Sequence, residues 1–264
     1  MIPMKEDTIL QIEGLSMVFG GLRAIDNVDL YIKRGEICAL IGPNGAGKTT
    51  IFNCITGVYK PTEGTIAIRN RDGTPEYIHG LKPHVINKKG LARTFQNIRL
   101  FSNMTVLENV MIGRHNSLTA GVFRSIFRDA ATRQEEERVI EESYQILRKL
   151  NLHEFVNERA CNLPYGAQRR LEIARALATD PFLLLLDEPV AGMNPQETKE
   201  LEETIHLIRE EGHLTILLIE HDMSLVMNVS ERIYVLDYGR LIAEGSPGEI
   251  KSNPEVIKAY LGEA

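Results

Sequence analysis

Apolar positions along the chain fall into two alternating kinds of stretch. EICALIG (36–42) is an almost unbroken β-branched and apolar run, as in a buried strand, and TTIFNCITG (49–57) after it predicts a helix closed by Gly57. GTIAIR and GLARTF predict further short strands. From Thr105 the pattern changes: TVLE forms a capping box, with Thr105 as N-cap and Glu108 three residues on, and opens a mostly helical region to about residue 178. Within it NLPYGAQRR (162–170) interrupts the chain with proline, tyrosine and glycine just before AQRRLEIARALA, whose apolar residues recur every three or four positions. Strands return as FLLLLD (182–187), LTILLIE (214–220) and RIYVLD (232–237). The helices between them start at Asn194-Pro195, with Glu197 completing a second capping box, and at Asp222. The pattern predicts an α/β protein with a parallel sheet and an inserted helical lobe. RQEEER (133–138) is expected as a solvated helix face, and no repeat or low-complexity segment interrupts the reading.

Composition narrows the classes. A chain of 264 residues can bury a large core, as one domain with lobes. With 30 basic against 36 acidic residues it carries a formal charge of −6, which provides no broad cationic surface for nucleic acid. The three cysteines, Cys38, Cys54 and Cys161, lie far apart without metal-ligand spacing, as expected of buried thiols in a reducing compartment. No signal peptide is visible. The longest aliphatic runs, such as FLLLL (182–186), fall far below the roughly 20 residues of a membrane helix, so the chain is not expected to span a membrane itself.

The strongest chemical signal is GPNGAGKT: Gly42, Pro43, Asn44, Gly45, Ala46, Gly47, Lys48 and Thr49, followed by Thr50. It fits the phosphate-loop pattern, and its context fits too, with a strand leading in and a helix leading out. Backbone N–H groups and the helix N-terminus then converge on an anion, Lys48 reaches terminal phosphates and Thr49 offers a hydroxyl to Mg²⁺. The alternative is a glycine-rich turn that matches by chance. FLLLLDEP ends a hydrophobic strand in adjacent acids whose side chains point to opposite sides. Asp187 is the candidate Mg²⁺ ligand, through water, and Glu188 the candidate for orienting and polarising an attacking water. The alternative is that both acids merely end a strand and start a turn. His221, in IEHD at a third strand end, is a candidate γ-phosphate contact or else a satisfied turn histidine.

Taken in order, GPNGAGKT, TFQ with Gln96, NLPYGAQRR, LLLLDEP, AGMN and IEHD resemble the ATP-binding subunit of an ABC transporter along almost the whole chain. The resemblance implies one ATP-binding domain over 1–264. Its core would be a P-loop NTPase fold with a parallel sheet, an N-terminal antiparallel β portion and a helical subdomain inserted at about 100–178. Two such domains would face head to tail and close on two ATPs. Phe19, in MVFGG, would stack on adenine, where the residues alone suggest a core phenylalanine. Gln96 would sense Mg²⁺ and the γ-phosphate and link to the membrane partner. Leu163, Pro164, Tyr165, Gly166 and Ala167 would form the family's signature, with a helix starting near Ala167 whose N-terminus serves the ATP held by a partner.

Two departures sharpen the resemblance. Pro164 and Tyr165 stand where the family usually has serine and glycine, so the hydroxyl that touches the partner's γ-phosphate is missing, and Asn194 replaces the usual aspartate. With KPHVINKKGLARTFQNIRLF and the ending VIKAYLGEA, they resemble the ATPase subunits of branched-chain amino acid importers. That branch implies a second, different ATPase chain, two integral membrane permease subunits, a substrate-binding protein acting indirectly, and a peripheral location on the cytoplasmic face of the membrane. An ABC ATPase for urea or an exported lipid, a soluble non-transport ABC protein, and a small-molecule kinase remain open. Soluble ABC proteins commonly carry two cassettes, and a kinase has no need of the helix start at Gly166.

Overall fold

Strands with one buried face and strands with two are sorted into different sheets. The computed structural model describes residues 2, 4–114, 130–212 and 214–261. β1 (Thr8–Phe19) and β2 (Leu22–Lys33) form a bulged antiparallel hairpin, and β4 (Glu63–Arg69) and β5 (Pro75–Tyr77) extend it in the order β2-β1-β4-β5. Burial along β2 alternates, as it does when one face of an antiparallel sheet meets a core and the other meets solvent. The second sheet runs β10-β9-β3-β8-β7-β6. Its members β3 (Ile37–Ile41), β6 (Leu91–Arg93), β7 (Leu183–Asp187), β8 (Thr215–Ile219) and β9 (Arg232–Asp237) are parallel, and β10 (Arg240–Gly245) closes one edge antiparallel to β9.

Every residue of β3, β7 and β8 is buried, because both faces of the parallel sheet are covered. Ile37, Ala39 and Ile41 join one core with Leu184, Leu186, Ile216 and Leu218, whereas Cys38 and Leu40 join the other with Leu183, Leu185, Leu217 and Ile219. This is the period-two alternation of strand side chains. The first core receives α5 (Tyr165–Leu177), α6 (Pro195–Gly212) and α7 (Met223–Val229); the second receives α1 (Lys48–Ile55) and the antiparallel sheet. α2 (Pro83–Lys88) precedes β6, α3 (Val106–Arg114) and α4 (Ala130–Lys149) precede α5, and α8 (Pro247–Ser252) and α9 (Pro254–Leu261) end the described chain.

The helix caps form where the sequence places them. The Glu108 N–H donates to Thr105 Oγ1 at 3.2 Å, and the Thr105 N–H donates to Glu108 Oε2 at 2.7 Å. Asn194 Oδ1 accepts from the N–H groups of Gln196 and Glu197, so the amide caps α6 as an aspartate would. Asp222 caps α7 through Ser224 and Leu225. Three expectations are corrected. GLARTF contributes only Leu91–Arg93 to the sheet, because Thr94 onward turns away to carry Gln96. α5 starts at Tyr165, ahead of the expected Ala167, because extended Pro164 (φ −55°, ψ 153°) acts as its N-cap and needs no N–H partner there. Cys38 and Cys54 are buried thiols but Cys161 is exposed, since it sits in a short surface turn before α5. Gln134 to Arg138 of RQEEER are solvent-facing or half-buried on α4, while the Arg133 side chain lies outside the described set, as do positions 115–129 of the expected helical lobe. No described helix is long and apolar enough to cross a membrane.

Candidate functional site

The parallel register brings three strand ends side by side. Leu40 pairs with Ile219, and Ile219 with Asp187, so the segments beginning at Gly42, Glu188 and Glu220 emerge together from the carboxyl edge of the sheet, where ligands of such folds bind.

The loop from Gly42 to Thr49 is pressed onto its neighbours through glycine. A Cβ on Gly42 (φ 147°) would lie 2.0 Å from the Leu236 carbonyl oxygen, and one on Gly47 (φ 105°) would meet Ile25 Cδ1 at 2.5 Å and Ala24 O at 2.8 Å. Only glycine permits that approach to β9 and β2. Pro43, Asn44 and Gly45 form the outer curve, Ala46 is buried, and Thr49 and Thr50 enter the first turn of α1, where the Ile51 N–H bonds back to Gly47 O. Lys48 is buried, with Nζ donating to Gly42 O (2.7 Å) and Pro43 O (3.0 Å). Burial pushes its ammonium down, against the opposing pull of Glu188 and Asp187. An ammonium has three protons, so one remains for a phosphate beyond the loop's own carbonyls.

At the end of β7 the two acids part as expected. Asp187 is buried; its Oδ2 accepts from Arg93 Nη2 at 2.6 Å, and its N–H donates to Thr94 Oγ1. Glu188 adopts a left-handed backbone (φ 47°) and turns outward, with Oε2 accepting from Gln96 Nε2 at 2.7 Å and lying 4.0 Å from His221 Nδ1. Gln96, Glu188 and His221, widely separated in sequence, are thus brought together beside the phosphate loop. Among the described residues no group of three or more His, Cys, Asp or Glu gathers as a metal cage. The Thr49 hydroxyl, the Asp187 carboxylate, whose Oδ2 is taken by Arg93, and the Gln96 amide are oxygen donors of the kind Mg²⁺ takes, a cation usually bound by one or two carboxylates and completed by substrate phosphates and water.

Phe19 is not a core residue. It is 39% exposed at the end of β1 and meets Tyr59 edge-on, with ring centroids 5.2 Å apart. In the NLPYGAQRR segment Leu163, Gly166 and Ala167 are buried, Pro164 caps the helix, and the exposed Tyr165 donates its Oη to Ala191 O at 2.8 Å. The Gly166 N–H donates to Glu197 Oε1 at 3.2 Å, so a carboxylate of this same chain occupies the start of α5. That contact shows the helix N-terminus accepting an anion.

Sequence reasoning missed several supports. Glu220 is fully buried: Oε1 accepts from the Val190 N–H, and Oε2 from the N–H groups of His221 and Asp222. Burial pushes its carboxyl up while those donors pull it down. Its signal was an acid closing the apolar run LTILLI. Arg93, largely covered on Asp187, and the buried Arg169 and Glu172 on the inner face of α5 are further charges that the sequence did not single out. Next to the Gln96 loop opens a groove of about 540 Å³ whose walls include Phe95, Arg99, Phe101, Ile112 and Arg175.

Residues 25–191 match the ABC transporter family, and residues 240–264 match a terminal family described as branched-chain amino acid ATP-binding cassette transporter. The chain is 51% identical to the high-affinity branched-chain amino acid transport ATP-binding protein LivG of Salmonella typhimurium, over 97% of this chain and 98% of that one. It is 49% identical to BraF, of the same description, from Pseudomonas aeruginosa, with the same coverage. Among solved structures it resembles a nucleotide-free ATP-binding cassette from an ABC transporter at TM-score 0.81 and 35% identity, over 97% of this chain and all of that one. An ADP-bound cassette of an ABC transporter matches at TM-score 0.82 and 34% identity, over 97% of this chain and 99% of that one.

Proposed function

The chain belongs to the ABC transporter family, and from that premise we propose that it is the ATP-hydrolysing subunit of a branched-chain amino acid importer. The observation that carries the site assignment is the Gln96 hydrogen bond to the Glu188 carboxylate, with His221 between Glu188 (4.0 Å) and Glu220 (3.7 Å), beside a phosphate loop. The terminal match over 240–264 favours this cargo over urea or lipid.

In this reading the whole of 1–264 works as one cassette with a helical lobe at about 100–178. Phe19 stacks on the adenine ring, which its exposure allows. Backbone N–H groups from Gly42 to Thr50 and the start of α1 bind the phosphates, and Lys48 turns its remaining proton to the β- and γ-phosphates. Thr49, Asp187 and Gln96 would hold Mg²⁺, which when bound neutralises developing charge on the phosphates. Glu188 orients the attacking water and takes its proton. Gln96, bonded to Glu188, holds that carboxylate in place. His221, 4.0 Å from Glu188 on an exposed loop, donates to the γ-phosphate.

Leu163 to Ala167 serve the ATP of a second ATPase subunit, a different chain, with the Gly166 N–H exchanging Glu197 for phosphate. Two integral membrane permeases dock at the groove beside Gln96, whose exposed Phe101 and Ile112 suit an apolar partner segment, and a substrate-binding protein acts through them. The chain therefore sits peripherally on the cytoplasmic face of the membrane. Purification of the tagged chain from membranes tests this: two permeases and a second ATPase should co-purify, and proteoliposomes holding the assembly should take up leucine with ATP. Recovery as a membrane-free protein with no permease would refute the reading.

A further inference from the structure

We propose that the buried Arg169–Glu172 pair on α5 is a positioning device for the Gln96 loop, so that the helix whose first turn serves one ATP also sets the sensing glutamine of another. The inference rests on the role given to Gln96 above. Both residues are only 2% exposed and form an ion pair one helical turn apart, Arg169 Nη1 to Glu172 Oε2 at 3.1 Å.

They spend their polar atoms mainly on the loop. Arg169 Nη1 donates to Phe95 O at 2.8 Å and Nη2 donates to Gln96 O, while Glu172 Oε1 accepts from the N–H groups of Phe95 and Arg99 at 3.4 Å each. Residues 94–99 form no strand or helix, so their backbone groups must find partners elsewhere, and this pair supplies both an acceptor and a donor set. Arg169 Nε is left with no hydrogen-bond partner, so the fork is turned toward the two carbonyls at the expense of its third donor. A buried ion pair is a poor source of stability compared with apolar packing, which makes its geometry the more informative property.

The chain of contacts is continuous. Gln96, held through its own carbonyl, reaches Glu188 with its side chain. One turn before Arg169 on the same helix, the Gly166 N–H faces Glu197, and Tyr165 bonds Ala191 in the loop that follows Glu188. Displacement of the α5 start by a partner's phosphate therefore moves a helix that grips the Gln96 loop at Phe95, at Gln96 O and at Arg99. The pair links the occupancy of one ATP site to the arrangement of the glutamine in the other.

The test compares Arg169→Lys, which keeps the charge but loses the fork, and the near-isosteric Glu172→Gln, which keeps one acceptor, with Gln96→Ala as reference. Amide hydrogen exchange of the full chain and the Mg²⁺ concentration for half-maximal ATP binding are read for each. Both pair variants should exchange at 94–100 roughly tenfold faster while 42–50 stays within about twofold of the parent. Both should also raise the Mg²⁺ requirement by up to roughly tenfold, toward that of Gln96→Ala, as loss of a supporting contact around a metal site does. A merely structural role would lower the melting temperature without moving the Mg²⁺ requirement. Parent-like Mg²⁺ dependence in folded pair variants, with a shift in Gln96→Ala, overturns the positioning role and leaves the Gln96 assignment standing. No shift in Gln96→Ala itself overturns both. Should Arg169→Lys fail to fold, Glu172→Gln decides alone.

Discussion

Gly166 gives the sharpest separation between a helix cap and a site that works on a partner's ATP. A Cβ at this position would lie 2.7 Å from Glu197 Oε1, 3.0 Å from its Cδ and 3.1 Å from its Cγ. All three atoms belong to one flexible, half-exposed side chain that can rotate away. If Glu197 turns away, Gly166→Ala loses the bonds this carboxylate accepts from the Gly166 and Asn194 N–H groups, together about 1–3 kcal/mol, and part of the 0.3–1 kcal/mol that an anion contributes near a helix N-terminus. It regains roughly 0.5–1 kcal/mol of helix propensity. The balance is a loss of at most about 3 kcal/mol, remote from the phosphate loop, so the isolated chain should fold and bind ATP within about twofold of the parent. Gly166→Asp adds a negative charge where a partner's phosphate must approach. Two unit charges at 4 Å and an effective dielectric of 20 repel by about 4 kcal/mol, and even a part of that lowers turnover of the assembled complex by about 10²- to 10³-fold. Calorimetry on the isolated variants and ATPase rates after reconstitution with the second ATPase and both permeases measure the two arms. A normal rate in reconstituted Gly166→Asp would reduce the glycine to a cap, and a folded isolated variant unable to bind ATP would place the signature's action on its own nucleotide.

Glu188→Gln keeps an acceptor for Gln96 but removes the carboxylate, so ATP should still bind while hydrolysis falls by about 10²- to 10⁴-fold and an ATP-bound dimer accumulates; near-normal turnover with both ATPase chains mutated would refute its assignment. Lys48→Ala should weaken ATP binding at least about tenfold by calorimetry, since a charge-assisted contact contributes about 1.5–3 kcal/mol; unchanged affinity would contradict the phosphate-loop reading. Phe19→Ala should remain folded, because the ring is half-exposed, and weaken ATP and GTP alike; loss of the fold would restore the core assignment. Glu220 has a raised carboxyl, so between its unfolded and folded values the native chain holds a proton that the unfolded chain has released, and stability falls as pH rises through that window. Glu220→Gln should flatten this slope in urea midpoints measured across the acid range, and a slope equal to the parent's would show that the group does not titrate this way.

The site residues at strand ends were legible because a buried parallel strand is an unbroken apolar run and anything polar at its carboxyl end stands out. Gly42, Asp187, Glu188 and His221 all follow such runs. The supports were not legible for the converse reason. Pattern reading assigns charges to the solvent face of a helix, yet Arg169 and Glu172 lie on the inner face of α5, tolerable only because the Gln96 loop satisfies them there. Arg93 is similar: its partners Asp187 and Asn53 are remote in sequence and meet it only once β6 pairs with β7 over α1. Phe19 was misread from its residues alone because an aromatic at the end of a strand has the composition of core, while its place beside the hairpin turn leaves it half-exposed.

The departures at Pro164 and Tyr165 have a physical consequence that composition could not disclose. Where the family's serine would offer a hydroxyl outward, Pro164 fixes the helix entry and Tyr165 turns its hydroxyl inward to Ala191 O. The tyrosine ring also approaches Gly192, where an added Cβ would lie 3.4 Å from both Cε1 and Oη and where φ is 80°. A side chain at 192 would strain the backbone, while its Cβ would come only into ordinary contact with the ring that bonds the neighbouring carbonyl. The Tyr165 hydroxyl fastens the start of α5 to the loop following Glu188 in the same chain. In the proposed reading, a signature built this way would offer an incoming phosphate the backbone N–H of Gly166, which donates to the Glu197 carboxylate, and would tie any movement it undergoes to the loop after Glu188.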